Sequence, residues 1–326
     1  MKPASMAMWL RNGLKVRCLQ SGTTLRRIST KSCESKVKTR PIDESAKVLR
    51  HLHFSKQMPF KKGIDIQERF VKAQLDIKEL HAKIRRRTAQ LQQEKANANL
   101  NDNERQILDR ILNMKPNPII LTFEFQPTYT GGKRIKKLIT EEQISRYEEF
   151  CPSAQKNNMK PKFVQVERGG QVTFHGPGQV VAYIILDLKT FKDFPAKCFV
   201  SSIENATINA LRDAKGHDDE GALDVRARKT DQTGVWVTDK KIASIGVHVR
   251  RSITSHGVCI NVCPDLSYLN SFEMCGLPNS LATSVKELRP ASSITTKDIA
   301  VSFVNELAKV IGIDVVERAE LDDIEL

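Results

Sequence analysis

The sequence predicts an α+β fold, a mixed or antiparallel sheet flanked by helices. Three observations carry this: strand patterns dominate the middle of the chain from about residue 118, helical patterns lie on either side, and no internal repeat is present. With 40% hydrophobic and 28% charged residues, the 326 positions suit a folded protein with a sizeable core. The longest apolar stretches, such as VVAYIIL from Val180, stop far short of the roughly 18 to 20 residues that cross a bilayer, so no membrane partner is expected.

The net charge of +14 is concentrated at the start, because residues 1–40 hold ten Lys or Arg against one acid, Glu34, and supply +9 of it. Rich in Arg, Lys, Ser and Thr, and able in MAMWLRNGLKVRCL to form an amphipathic helix, this segment resembles a mitochondrial transit peptide. Residues 1–40 are therefore read as a disordered leader, and the protein as one of the mitochondrial matrix. A basic tail that binds nucleic acid is the other reading, but nothing else in the chain has the pattern of a nucleic-acid module, so no nucleic-acid partner is expected.

After the leader, VLRHLHFS from Val48 alternates as a strand. Ile66, Phe70, Ala73, Ile77, Leu80, Ile84 and Leu91 then recur at threes and fours as one apolar stripe of a long helix. A second helix follows EKANANLNDNER, with Asn101 and Glu104 at capping-box spacing, and ends before Pro116. Together they predict a helical hairpin, an insertion over 64–115, packed on the core, with a partner-binding arm as the alternative. IILTFEFQPTYTGG reads as a strand and a turn, KFVQVERGG alternates, and QVVAYIILDL is a buried strand. FPAKCFVSSIENATINALRDA reads as a helix. TGVWVTDKKIASIGVHVRR reads as a hairpin with its turn at Asp239 and Lys240, HGVCINVCPDL as a strand, and TTKDIAVSFVNELAKVIG as a closing helix with Thr296 or Asp298 near its start. The main domain spans 45–316, and residues 317–326 are read as an acidic tail.

Three segments could carry chemistry. RGGQVTFHGPGQ, residues 168–179, packs four glycines around Arg168 and His175. Successive glycine backbones expose N–H groups and Arg168 adds a fork of donors, a setting for an anion or a carbonyl; a plain turn between strands is the alternative. Without GxGxxG or a GKS/T ending, a nucleotide site is weakly supported. In DKKIASIG, a strand opening at Lys241 puts Lys241, Ala243 and Ile245 on one face. A lysine among Ala and Ile is partly desolvated and turned towards base chemistry, whereas Lys240, in the turn, should stay in water. In FEMCGLPNSLATSV, Cys275 is followed by Gly276, and a thiol so placed is accessible to a neighbouring base. The seven cysteines include no CxxC pair. Cys259 and Cys263, four apart in a strand, read as buried filler, and zinc held by Cys259, Cys263 and Cys275 with a histidine is the weaker option.

In order, RGGQVTFHGPGQVVAYIILDL, KKIASIGVHVRR, SHGVCINV, and MCGL with ATSV behind it resemble the lipoyl(octanoyl) transferases, over roughly residues 118–316 plus the strand near residue 50. The resemblance implies the fold shared with biotin and lipoate protein ligases. It further implies a cysteine that carries octanoyl as a thioester, at Cys275, and a lysine that acts as acid and base, at Lys241. The implied substrate-binding residues are Arg168, Gly169, Gly170, Gln171, Val172, Thr173, Phe174 and His175, then Ser244, Ile245 and Gly246, then Gly257, Val258 and Cys259. Phe174 and the flanking valines are expected as apolar walls for the acyl chain. The family often has proline before the cysteine, where this chain has Met274. The implied donor is octanoyl-acyl carrier protein, and the implied acceptors are lipoyl-domain proteins such as glycine cleavage H protein and 2-oxoacid dehydrogenase E2 subunits, with no cofactor. The alternatives are an ATP-dependent lipoate or biotin ligase on the same fold and a catalytically silent lipoyl-domain binder.

Overall fold

The computed structural model describes residues 39–94, 101–152, 159–217, 221–272 and 281–322. All of them belong to one unit, Ser35–Leu326, and a first unit, Met1–Glu34, lies outside the described residues. The predicted strand at Val48 is β1 (Val48–Phe54), which has partners on both sides. It runs parallel to β2 (Ile119–Phe123) and to β10 (Val315–Leu321). From β2 the sheet continues antiparallel through β6 (Gln179–Ile185), β9 (Ile253–Asn261) and β8 (Lys240–Arg250) to β7 (Val235–Val237), in the order β10-β1-β2-β6-β9-β8-β7. A second sheet places β3 (Thr128–Gly131) between β4 (Lys162–Gln165), parallel, and β5 (Val172–His175), antiparallel.

The expected mixed sheet is therefore present, with two differences. IILTFEFQPTYTGG is two strands in different sheets, β2 and β3, because the chain turns through Gln126 and Pro127, and proline cannot donate to a ladder. Residues 317–321 are not tail: with Val315 and Val316 they form β10, paired residue for residue with β1 from Val48↔Val315 to Phe54↔Leu321. Its charges stay in water, so backbone pairing holds the strand with little apolar burial.

On one face of the main sheet, α4 (Ala196–Asp213) and α7 (Thr296–Ile311) bury Phe199, Ile203, Phe303 and Leu307 against Ile120, Ala182, Ile184 and Val258. The N-cap of α7 is Thr295, one residue before the expected start, in a capping box with Asp298. On the other face, α1 (Phe60–Glu94) sets Phe60, Ile66 and Val71 against Phe123, Phe125, Val181 and Tyr183. The apolar stripe of α1 meets the core only over its first turns. The predicted capping box at Asn101 opens α2 (Asp102–Asn113), which buries none of its residues and touches α1 where His81 Nε2 donates to the Ile111 carbonyl at 2.8 Å. A helix that was not anticipated, α3 (Glu141–Glu149), begins at a capping box of Thr140 and Gln143, a signal present in the sequence. Two short helices, α5 (Leu266–Asn270) and α6 (Val285–Leu288), follow β9.

A directional hydrogen-bond chain crosses β10, β1 and β2. Arg318 Nε donates to His51 Nδ1 at 2.9 Å, so His51 carries its proton on Nε2 and donates to Thr122 Oγ1 at 2.8 Å. That hydroxyl is then free to donate to His53 Nδ1 at 2.9 Å. Burial, then the charge of Arg318 and neighbouring His53, pull the His51 pKa down to about 3. The unfolded chain therefore binds a proton that the folded one refuses, between the ordinary value near 6.5 and about 3. Stability is expected to fall as pH drops through that window, by at most about 1.4 kcal/mol per pH unit for this group. Melting temperature measured from pH 7 to pH 5, above most carboxylate titration, should decline; a flat profile would reject the account.

Candidate active site

A cavity of about 430 Å3 opens beside β5 and the turn that precedes it. Its lining joins the 168–171 turn and Thr173 and His175 of β5 to Lys241, Ser244, Ile245 and Gly246 of β8, Gly257, Val258 and Cys259 of β9, and Val181 and Tyr183 of β6. Three stretches separated by up to 90 residues in sequence thus meet in one place. Phe60 of α1, Arg134, Val200, the 231–233 loop, Val247 and His256 complete it, and none of these was anticipated.

Lys241 is 3% exposed, and its Nζ lies 5.2 Å from the centroid of the Trp236 ring, where the aromatic face attracts an ammonium. Gly234, at φ +128°, makes room for it: a Cβ there would meet Lys241 Cε at 2.5 Å and the Ala243 carbonyl at 2.7 Å. Ala243 and Ile245 pack into the core on the helix side, but so does Ile242, so strict alternation fails beside the irregularity at Val235/Trp236 in the β7 pairing. Lys240 is solvated as expected and pairs with Glu287 at 2.8 Å. The backbone of Lys241 is held on both sides by the segment that follows FEMCGLPNS. Lys241 N–H donates to the Leu281 carbonyl at 2.8 Å, and Thr283 N–H donates to the Lys241 carbonyl at 3.0 Å. Asn261 Nδ2 donates to the Thr283 carbonyl at 2.9 Å, and Ala282 N–H donates to Asn270 Oδ1 at 2.8 Å. Cys275 itself lies outside the described residues.

The glycine turn is a packed junction. Arg168, 8% exposed, donates through Nη2 to the carbonyl and the hydroxyl of Thr130, both at 2.8 Å, and through Nη1 to the Gly169 carbonyl at 3.0 Å. Its fork thus ties the turn to β3, where the sequence suggested a donor to an anion. Gly169 N–H donates to the Val247 carbonyl at 3.1 Å, fixing the turn over β8. Gly246 permits this approach, since a Cβ there would meet Arg168 Cδ at 2.9 Å and the Gly169 carbonyl at 3.0 Å. Gly257 is needed for a different reason, because a side chain would run into the Ala182 carbonyl of β6.

Alternation in β5 divides the expected binding residues. Thr173 and His175 line the cavity, whereas Val172 and Phe174 turn away into the core of the small sheet, where Phe174 stacks on Tyr268 at 4.6 Å. Apolar lining comes from Val181, Tyr183 and Phe60, with Ile245 and Val258, and not from Phe174. His175 is stacked on Phe60 at 5.2 Å, and its buried Nδ1 has no hydrogen-bond partner among the described residues. Burial, reinforced by Arg168 and His256, holds the His175 pKa well below the usual histidine value, so its ring is neutral. Burial, then Arg168 and His248, take His256 to about 3. Cys259 is buried as expected, but Cys263 is exposed: β9 ends at Asn261, and beyond it Val262 still packs into the core while Cys263 faces water. No group of three or more His, Cys, Asp or Glu placed to hold a metal ion occurs among the described residues.

Comparison with known proteins bears on what this arrangement does. Residues 99–308 match the family model described as lipoyl protein ligase A/B catalytic domain. A Kluyveromyces lactis protein named octanoyltransferase, mitochondrial, is 62% identical over 91% of this chain and 90% of its own length. The chain belongs to the octanoyltransferase family. It is a mitochondrial acyltransferase that transfers octanoyl groups in lipoylation, and the ligase and silent-binder readings are not favoured. A more distant relative in Danio rerio, 34% identical over 53% of this chain and 67% of its own length, is named octanoyl-[acyl-carrier-protein]:protein N-octanoyltransferase LIPT2, mitochondrial. Among solved structures, P. falciparum LipL1 in complex with lipoate shares the octanoyltransferase's fold, with a TM-score of 0.51, 13% identity, and 84% of this chain and 66% of that one covered.

Proposed function

We propose that the chain takes octanoyl from octanoyl-acyl carrier protein onto Cys275 and passes it to a lysine amine of lipoyl-domain proteins, among them glycine cleavage H protein and 2-oxoacid dehydrogenase E2 subunits. Lys241 is the acid and base in both halves. One observation carries this reading: a buried lysine faces a cavity suited to an apolar chain, while its backbone is zipped to Leu281–Thr283, the stretch just beyond the cysteine.

In the first half, Lys241 takes the Cys275 proton and the thiolate attacks the thioester carbonyl. The carrier thiolate leaves and recovers that proton from Lys241. In the second half, the acceptor amine attacks the octanoyl thioester, Lys241 takes the amine's proton, and the departing Cys275 thiolate receives it. An amide replaces a thioester, which is downhill, so no ATP enters. Arg168 acts here through geometry, tying the glycine turn to β3 while Gly169 N–H fixes it over β8. Residues 1–40 serve as the leader that delivers the protein to the matrix.

Intact-protein mass spectrometry after incubation with octanoyl-acyl carrier protein tests donor, residue and chemistry together. One octanoyl adduct is expected, mapped by peptide fragmentation to Cys275 and discharged by a lipoyl-domain acceptor. Label at Cys259 or Cys263, or transfer that needs ATP and releases AMP, would overturn the assignment.

A further inference from the structure

The helical stretch after β1 carries no expected chemistry, yet its first turn forms part of the cavity. Phe60 is 4% exposed and lines the space directly. Its ring stacks on His175 at 5.2 Å with 17° between planes and meets Phe125 in a T-shape at 4.9 Å. Lys241 pairs with β7, while Val181 and Tyr183 belong to β6, with β9 and β8 between. From β8 to β6 is two strand spacings, about 10 Å. Cavity residues therefore run from the proton-transferring amine, across the sheet, to a wall made by Val181, Tyr183 and Phe60.

That wall is fixed. A side chain at Gly63 would strike the Phe125 ring, so α1 sits as close to the sheet as a helix backbone can. One turn further on, Gln67, fully buried, accepts from His256 N–H through Oε1 at 2.6 Å, holding His256 in its left-handed backbone at φ +59°. Glu68 pairs with Arg250 at 2.7 Å, and Lys78 with Asp187 at 2.5 Å, so four contacts along α1 resist displacement. A wall with no slack discriminates by length, because one methylene too many meets an aromatic ring with nowhere to go.

We propose that Phe60 is the stop against which the methyl end of the acyl chain rests, and so sets the chain-length preference of the transfer. This rests on the acyl-shuttle reading above. The purified full-length protein and its Phe60→Ala and Phe60→Trp variants would be compared with acyl-acyl carrier proteins of six, eight, ten and twelve carbons, reading kcat/KM for transfer to a lipoyl-domain acceptor. For Phe60→Ala, the ratio of twelve-carbon to eight-carbon transfer is expected to rise by about tenfold or more, since one methylene of fit is worth roughly that factor. Phe60→Trp pushes the stop inward and is expected to raise the six-to-eight ratio. It also keeps the inference testable if the alanine variant does not fold. Ratios within about twofold of wild type in a folded variant of either kind would overturn it. A wild type that transfers none of the four chains would instead count against the shuttle itself.

Discussion

Lys241→Met is expected to lower kcat by about 10²- to 10⁴-fold, the range general acid–base groups contribute, while leaving the fold intact. Methionine keeps the unbranched stem that fills the space between Trp236 and Gly234 but has no proton to give or take. Both half-reactions should slow, so single-turnover acylation by octanoyl-acyl carrier protein and discharge to the acceptor would each be measured. Lys241→Arg should fail to rescue, because a guanidinium cannot deprotonate near neutral pH. If Lys241→Met were acylated at the wild-type rate and only discharge were slow, the amine would serve the second half alone. Unchanged rates in both steps would remove Lys241 from the chemistry.

The second large effect is expected at a residue with no functional group. Gly234→Ala places a methyl where Lys241 Cε and the Ala243 carbonyl already stand, on a backbone at φ +128° that side chains rarely adopt. The strain costs about 1 to 3 kcal/mol of stability, visible as a lower melting temperature. Activity should suffer more than stability. The flexible end of Lys241 yields more readily than backbone, and a catalytic group displaced by about 1 Å can lose on the order of 100-fold in rate. A Gly234→Ala variant with full kcat and a lowered melting temperature would mean that the amine tolerates displacement, contrary to the role given to it here.

The sequence made some of this visible and hid the rest for identifiable reasons. The capping box at Asn101, the alternation of KFVQ and the unbroken apolar run in QVVAYII are local, and local signals survive folding unchanged. The glycine turn and the strand at Lys241, which meet in one cavity, were legible because a glycine cluster and a lysine among apolar neighbours are unusual compositions, whereas Cys275 lies outside the described residues. Which face of β5 meets the cavity was not legible. Phe174 is the more apolar residue and looked like a wall, yet tertiary packing gave that place to Thr173 and His175. Arg168 looked like a donor to a ligand because its partner, Thr130, lies 38 residues earlier in another strand. Phe60 was hidden by distance, 115 positions from the histidine on which it stacks. Gly234 was hidden because its meaning depends on the rotamer of Lys241. For β10, the charged VVERAEL gave no apolar alternation, so only its partner strand reveals it.

That last pairing constrains the order in which the molecule is made. β1 and β10 are 267 positions apart, so that length of polypeptide must be made before β1 gains its second neighbour. Until then one side of β1 presents unpaired amides and carbonyls, an open edge of the kind that recruits strands from other molecules. Closure across so long a loop is slow. A chain that emerges amino end first, from a ribosome or through a translocation pore, therefore passes through a vulnerable interval that ends only when β10 arrives, and shielding of that edge by a chaperone would act during that interval.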